Sequence, residues 1–349
     1  MKTTNQRNET LNYIMLQMCG GEFTMDYDRE ITYYKAQCLN DDVIHILPMM
    51  IDCALEPRSQ IAANVAILRN QKFHLMEQAR SPMETDKINE FLLNAAFGNE
   101  TLGMPLYGYD TNYSNLNNNI LTKYMMNNYF GDRIIVSATG IRSHDEFAHL
   151  VYNSTKVIPP TESKERIPSK YLGGDGKVCD PGGNISISIG LKGCSWRDPD
   201  YGSQYIMNAL LGNAQGFSTG GPGKGLYCRL KTNLVGKHDF ISSASALNFC
   251  YCDNGIFGIT ITGSKEYAKD IYELGYKELL RLKGDISDEE LDRTKNLAKL
   301  NILLAMERSS DRLEEITKGM LAFGELAFEQ YIKKIDQVTK HSIQKVVMI

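Results

Sequence analysis

Between Gly212 and Gly225 the chain places six glycines in fourteen residues, Gly212-Asn-Ala-Gln-Gly216-Phe-Ser-Thr-Gly220-Gly221-Pro222-Gly223-Lys224-Gly225. Glycine reaches positive φ freely and lets another backbone come close, and ordering each one costs roughly 0.5–1 kcal/mol relative to alanine. Glycine-rich loops that open onto helices cradle phosphates with their N–H groups, so anion binding is the first chemistry to test. The spacing excludes it. A P-loop needs G-x-x-x-x-G-K followed by Ser or Thr, whereas Ser218 stands at the first glycine position and Gly225 follows Lys224. A dinucleotide fingerprint fails as well, because Gly223-Lys224-Gly225 runs into Leu226-Tyr227-Cys228 with no third glycine. The composition instead predicts a loop that is mobile or ordered by a ligand, and long loops in compact domains are either functional or linkers.

Cysteine chemistry points elsewhere. The eight cysteines, Cys19, Cys38, Cys53, Cys179, Cys194, Cys228, Cys250 and Cys252, contain no C-x-x-C pair and no metal-ligand spacing. Most have apolar neighbours and read as reduced core thiols, which implies a reducing compartment. Cys250 and Cys252 alternate on an expected strand and would share a face.

The elements that must hold the loop can be read from periodicity. Before it, Ile206 with Leu210 and Met207 with Leu211 mark a helix over 199–211. After it, Leu226, Leu230 and Leu234 repeat at the same spacing, so the loop joins two helices. A strand–strand–helix order recurs along the chain. Glu22–Asp28, Ile31–Cys38 and a helix near Asp41–Leu55 form the first instance; Asp239–Ala246, a turn at Asp253-Asn-Gly255, Ile256–Thr262 and a helix over Tyr267–Leu282 form the second. Pro48 should kink the first of these helices or mark its true first turn. Ser287-Asp-Glu-Glu290 is a capping box that opens a long helix with Leu297, Leu300 and Leu304 as its expected buried stripe, and a shorter helix comes next near Phe328–Val338. The polar, proline-bearing Val157–Pro168 reads as an interdomain linker.

These readings give an α+β fold of two homologous α/β halves, each a mainly antiparallel sheet covered by helices on one face. The division is 1–157, a linker at 158–174, and 175–349 carrying the loop at 212–225. Length agrees, since 349 residues exceed one ordinary core. Hydrophobic content of 42% and charged content of 23% are those of a soluble globular protein. No apolar run approaches the roughly 18 residues of a membrane span. A net charge of −4 is not that of a nucleic-acid binder.

At the loop the sequence resembles a family, the α subunit of the mitochondrial processing peptidase, itself a relative of the pitrilysin and insulinase zinc peptidases. The family's loop reads roughly GGGGSFSAGGPGKGM, and residues 212–226 here read GNAQGFSTGGPGKGL. Gly216, Phe217, Ser218, Gly220, Gly221, Pro222, Gly223, Lys224 and Gly225 form the substrate-binding loop that the resemblance implies. Asn213, Ala214 and Gln215 replace three glycines, so the front of the loop should be stiffer than the family pattern. The likeness continues in Ile134-Ile-Val-Ser-Ala-Thr-Gly140, in His144-Asp-Glu-Phe, and in Leu291-Asp-Arg-Thr-Lys295 leading to Leu303-Leu-Ala-Met-Glu-Arg308. Aligned to the family, the segment from about Thr3 to Gly21 matches the stretch directly after the zinc-motif region, so the N-terminal half reads as truncated.

The related enzymes bind zinc through His-x-x-Glu-His, with two histidines on one helical face and a glutamate between them as general base. No such motif occurs. His144 and His149 are five apart, which sets their imidazoles about 140° apart around a helix, and His74-Leu-Met-Glu77 lacks a second histidine. His45, His238 and His341 stand alone. The resemblance therefore implies a noncatalytic, substrate-recognising subunit with no cofactor of its own, zinc being expected in a β partner. Basic targeting peptides of precursors would be its ligands, at the mitochondrial matrix or the matrix face of the inner membrane. Carboxylates must face such peptides, and Glu289, Glu290, Asp292, Glu314 and Glu315 are the candidates, each competing with the reading of a solvated helix face. The alternative is a structural core subunit of respiratory complex III, with other complex III subunits as partners. An autonomous zinc peptidase would have a glycine-poor loop and is disfavoured.

Overall fold

The computed structural model describes residues 9–55, 84–113, 115–156, 166–176, 183–215, 227–284, 286–324 and 328–347. Along the chain run α1 (Glu9–Met18), β1 (Glu22–Tyr27), β2 (Thr32–Gln37), α2 (Val43–Leu55), α3 (Glu84–Phe97), α4 (Asn118–Asn128) and α5 (His144–Ser154). Next come β3 (Asn184–Gly193), α6 (Tyr201–Leu211), β4 (Asn213–Gln215), β5 (Ile241–Cys250), β6 (Gly255–Ser264) and α7 (Ala268–Arg281). The chain ends with α8 (Asp288–Glu307), α9 (Ser309–Phe323), α10 (Phe328–Gln337) and α11 (Lys340–Val347). The fold is α+β. It forms two compact units, Met1–Pro82 with Pro105–Arg166, and Met83–Met104 with Ile167–Ile349. Met83–Met104 thus joins the second unit although it precedes the polar linker in sequence.

In the first unit β1 and β2 are an antiparallel hairpin paired from Glu22 with Gln37 to Tyr27 with Thr32. Its turn is set by Asp28, whose Oδ1 accepts from the N–H groups of Glu30 and Ile31, both at 2.7 Å, the local bond that makes Asp a turn former. Pro48 lies inside α2, beyond its first turn, so of the two expected roles only the interior one remains. The apolar side of α2 buries Ile46 and Met49 against Leu16 of α1. Ser143 caps α5 by accepting from the Glu146 N–H at 3.3 Å, and both His144 and His149 are exposed, as expected of a solvated helix start.

The second unit is built on an antiparallel sheet of order β3-β6-β5-β4. Its alternation is written in Asn184-Ile-Ser-Ile-Ser-Ile189 and Ile259-Thr-Ile-Thr262. The isoleucines face one side, where Ile259, Ile261 and Phe257 are buried and Ile185, Ile187 and Ile189 pack against them. On the other side Ser186 pairs with Thr262 at 2.9 Å and Ser188 with Thr260 at 2.7 Å through their hydroxyls. Helices α6 and α7 cover the isoleucine side, α8, α10 and α11 add Leu291, Ala298, Ile335 and Ile343 to the same core, and Val338 joins them from the turn between α10 and α11. Gly275 lets α7 close on the sheet, since a Cβ there would sit 2.7 Å from Ile261 Cδ1 and 3.2 Å from Ile259 Cδ1.

Three sequence expectations differ from the structure. The sheet is not covered on one face alone: α3 packs Leu93, Ala96 and Phe97 against Ile256, on the hydroxyl side of β6. Gly190 makes room for it, because a Cβ there would meet Leu92 Cδ1 at 2.8 Å. The buried line of α8 is Leu291, Thr294 and Ala298, while Leu300 and Leu304 are 44% and 48% exposed and Leu297 is half-buried. The helix carries more leucines than its contact with the core can cover, and spacing alone selected the wrong set. Finally, β5 ends at Cys250 and Cys252 lies in the turn beyond it, so the two do not share a strand face.

Candidate functional site

The glycine-rich segment 216–226, with Gly216, Phe217, Ser218, Gly220, Gly221, Pro222, Gly223, Lys224 and Gly225, lies outside the described residues. Both of its stems are described, and their construction is specific. Helix α6 stops at Leu211, and Gly212 follows with φ 69° and ψ −162°. The Gly212 N–H donates to the Asn208 carbonyl at 2.8 Å, and its own carbonyl accepts from the Ala246 N–H at 3.0 Å. A Cβ at Gly212 would run into the Cys228 side chain, with Sγ at 2.9 Å, so this glycine is needed both for its dihedral and for close approach of the returning chain.

Asn213–Gln215 then pair with Ser243–Ser245 as the edge strand β4. Where the resembled pattern has glycines, a strand therefore forms, in keeping with the stiffer front expected from sequence. On the return side Leu226, Leu230 and Leu234 predict an ordinary helix. Leu230 and Leu234 are buried, but Leu230–Val235 wind as a π-helix in which the Gly236 N–H donates to Lys231 O at 2.8 Å. Single π turns of this kind are frequent beside functional sites.

Three polar contacts tie the stems together and to the helices behind them. Lys231 Nζ donates to the Gln215 carbonyl at 2.8 Å, across the mouth of the segment. Arg229 Nε and Nη2 donate to Glu290 Oε1 and Oε2, both at 2.7 Å. Asn233 Nδ2 donates to Glu278 Oε1 at 2.9 Å, and Arg281 Nη1 donates to Glu278 Oε2 at 3.0 Å. Of the expected capping box the Ser287 half forms, the Glu290 N–H donating to Ser287 Oγ at 3.1 Å, while the Glu290 carboxylate turns to Arg229 instead of back to the Ser287 N–H. Sequence reading had no access to Arg229 or Lys231. The one signal for Arg229 was a lone guanidinium within the Leu226, Leu230, Leu234 repeat, where a buried charge requires a partner.

The five candidate acids occupy different settings. Glu289 and Asp292 are exposed in the first turns of α8. Glu290 is committed to Arg229, with side-chain exposures of 18% and 7%. Glu314 pairs with Lys318 at 2.8 Å on α9. Glu315 is half-buried beside an aromatic group in which the Tyr201 ring centroid lies 6.4 Å from that of Tyr205 and 6.1 Å from that of Tyr331. Burial holds the Glu315 carboxyl above the ordinary carboxylate range; Lys318 draws it down, and Glu314 and Asp311 push it further up.

A raised carboxyl pKa has a defined sign in stability. Below the ordinary carboxylate pKa both folded and unfolded chains carry a neutral Glu315, and there is no penalty. As pH rises, the unfolded chain ionises first and stability falls until the folded group ionises too. Glu315→Gln should therefore raise the midpoint of thermal unfolding at pH 7, with the gain vanishing at about pH 3.5. An equal change at both pH values would show that the carboxyl is not responsible.

Among the described residues, neither unit by itself brings three or more His, Cys, Asp or Glu side chains to metal-ligating distance. Burial, above all, pushes the Cys194 and Cys250 thiols up to about 12, which favours the neutral thiol over the nucleophilic thiolate. Among the described residues no helix is long and apolar enough to cross a membrane. What the described residues provide is two fixed stems, Asn213–Gln215 paired with β5 and Arg229–Val235 tied to Glu290 and Glu278, on either side of the glycine-rich sequence.

A family profile described as the peptidase M16 inactive domain matches residues 115–298. The mitochondrial-processing peptidase subunit alpha of Caenorhabditis elegans is 28% identical over 91% of this chain and 66% of its own length. The probable mitochondrial-processing peptidase subunit alpha-1 of Arabidopsis thaliana is 26% identical over 94% of this chain and 65% of its own. The chain thus spans just under two thirds of the length of these relatives. A beta subunit, from Neurospora crassa, is 25% identical over 96% of this chain. Among solved structures, a chain of complex III2 from Candida albicans superposes with a TM-score of 0.80 at 21% identity, covering 97% of this chain and 82% of its own.

Proposed function

Because the chain belongs to the peptidase M16 family, its matched part being that family's inactive domain, we propose that it is the noncatalytic, substrate-recognising subunit of a mitochondrial processing peptidase. It holds the basic N-terminal targeting peptides of imported precursors through the loop Gly216–Gly225 while a zinc-bearing β-type partner cleaves them. The observation that carries this reading is the pairing of an intact GGPGKG sequence from Gly220 to Gly225 with stems fixed on both sides by Gly212, Lys231 and Arg229. A glycine-rich segment can meet an extended peptide through backbone groups and yield to many side-chain sequences, as a subunit that accepts many precursors requires. The chain itself carries no His-x-x-Glu-His sequence, so the zinc of this reading is the partner's. The compartment of this reading is the mitochondrial matrix.

The same reading makes the two halves duplicates of one unit, divided at residues 158–174. Hairpin β1–β2 with α2 corresponds to hairpin β5–β6 with α7, and the shared strand–strand–helix order supports it. Superposition on a chain of complex III2 favours a second reading, a structural core subunit of that complex.

Native purification separates the two. The first reading expects a zinc-bearing partner to copurify and the pair to cleave a synthetic basic targeting peptide, with cleavage abolished by a chelator. Copurification of cytochrome-bearing complex III subunits without cleavage would replace it by the second.

A further inference from the structure

By type and position Glu290 is an acid that could face a basic peptide, yet its surroundings assign it another task. Both carboxylate oxygens accept from Arg229, at 2.7 Å each, and its backbone N–H is taken by Ser287. Arg229 is 6% exposed, and a two-point contact between guanidinium and carboxylate fixes direction as well as distance. In sequence only Tyr227 and Cys228 separate Arg229 from the glycine-rich segment. The geometry points to Glu290 as a positioning residue rather than a peptide-contacting one: it holds Arg229, and so fixes where the segment 216–226 rejoins the fold, against the capped start of α8. Its effect on cleavage rests on the substrate-recognition reading; its effect on the stem rests on the ion pair alone.

The two roles make opposite demands on Arg229. If Glu290 contacted a cationic peptide, removing Arg229 would release the carboxylate for that contact and leave cleavage intact or improved. If Glu290 positions the stem, removing it strands the buried Arg229 guanidinium, and removing Arg229 leaves a largely screened Glu290 without its two-point partner; either change loosens the stem, whereas replacing both by apolar side chains of similar length removes the conflict.

The experiment uses Arg229→Met, Glu290→Met and the double variant, each in complex with the copurifying partner. Amide hydrogen exchange is followed over residues 228–236, and kcat/KM is measured for a synthetic basic targeting peptide. Each single variant should speed exchange over 228–236 by about thirtyfold while protection of β5 and β6 is kept, and should lower kcat/KM by about tenfold. The double variant should return both quantities to within about threefold of the parent, a strongly non-additive cycle. Normal cleavage by Arg229→Met together with poor cleavage by the double variant would overturn the proposal in favour of direct contact. Unchanged exchange in both single variants, or exchange that rises equally throughout the unit, would overturn it too. If the parent complex fails to cleave the peptide, the recognition reading falls, and the exchange results alone decide whether Glu290 positions the stem.

Discussion

Deletion of Gly220–Gly225 is expected to lower kcat/KM for a basic targeting peptide by about a hundredfold or more while the catalytic partner stays bound. Six of the eleven residues between Gln215 and Tyr227 are removed, and the five left can still span about 17 Å when extended. The stems do not depend on the deleted residues: β4 stays paired with β5, Lys231 still reaches the Gln215 carbonyl, and Arg229 keeps Glu290. Stability should therefore change little, and unfolding midpoints of parent and variant should agree within about 2 °C. Lost cleavage with an unchanged midpoint and a bound partner assigns the segment to recognition. Unchanged kcat/KM would remove the loop from the function altogether, and loss of the partner would make it an assembly element.

Gly258→Val should cost more than about 3 kcal/mol, a large share of the stability of a typical domain. Gly258 lies in β6, which pairs with β3 on one side and β5 on the other, so neither neighbour can move without breaking a ladder. A Cβ there would run into the Ile189 carbonyl oxygen and lie 3.0 Å from Gly190 Cα. Those obstacles are backbone atoms, which cannot swing aside as a side-chain end can. Urea unfolding measures the loss, and Thr262→Val serves as the control. It changes a position on the same strand and costs about 1 kcal/mol for the hydroxyl bond to Ser186. A Gly258→Val chain as stable as that control would show that the two strands separate more easily here than their spacing implies.

Much of the fold was legible because its signals are local. The runs Asp239–Ala246 and Ile256–Thr262 marked strands β5 and β6. Ser287 with Glu290 marked the start of α8 to the residue, and the Ile206, Leu210 period marked α6. Where several residues could satisfy one period, local signals failed. Leu297, Leu300 and Leu304 fit a helical stripe as well as Leu291, Thr294 and Ala298 do, and only the position of the sheet selects between them. The same holds for α3, whose place on the hydroxyl face of β6 depends on Gly190, far away in sequence.

The sequence by itself determined helices α6, α7 and α8, strands β5 and β6, the glycine-rich segment and the absence of a His-x-x-Glu-His motif, since each is a property of residue type and near-neighbour spacing. The tertiary structure decided which charges meet. Arg229 and Glu290 are 61 residues apart and Lys231 and Gln215 are 16 apart, and no period relates either pair. A carboxylate read in isolation is a candidate for any cation. Once folding has screened most of Glu290 from water and set both its oxygens 2.7 Å from the buried Arg229 guanidinium, desolvation favours that partner over any cation in solution.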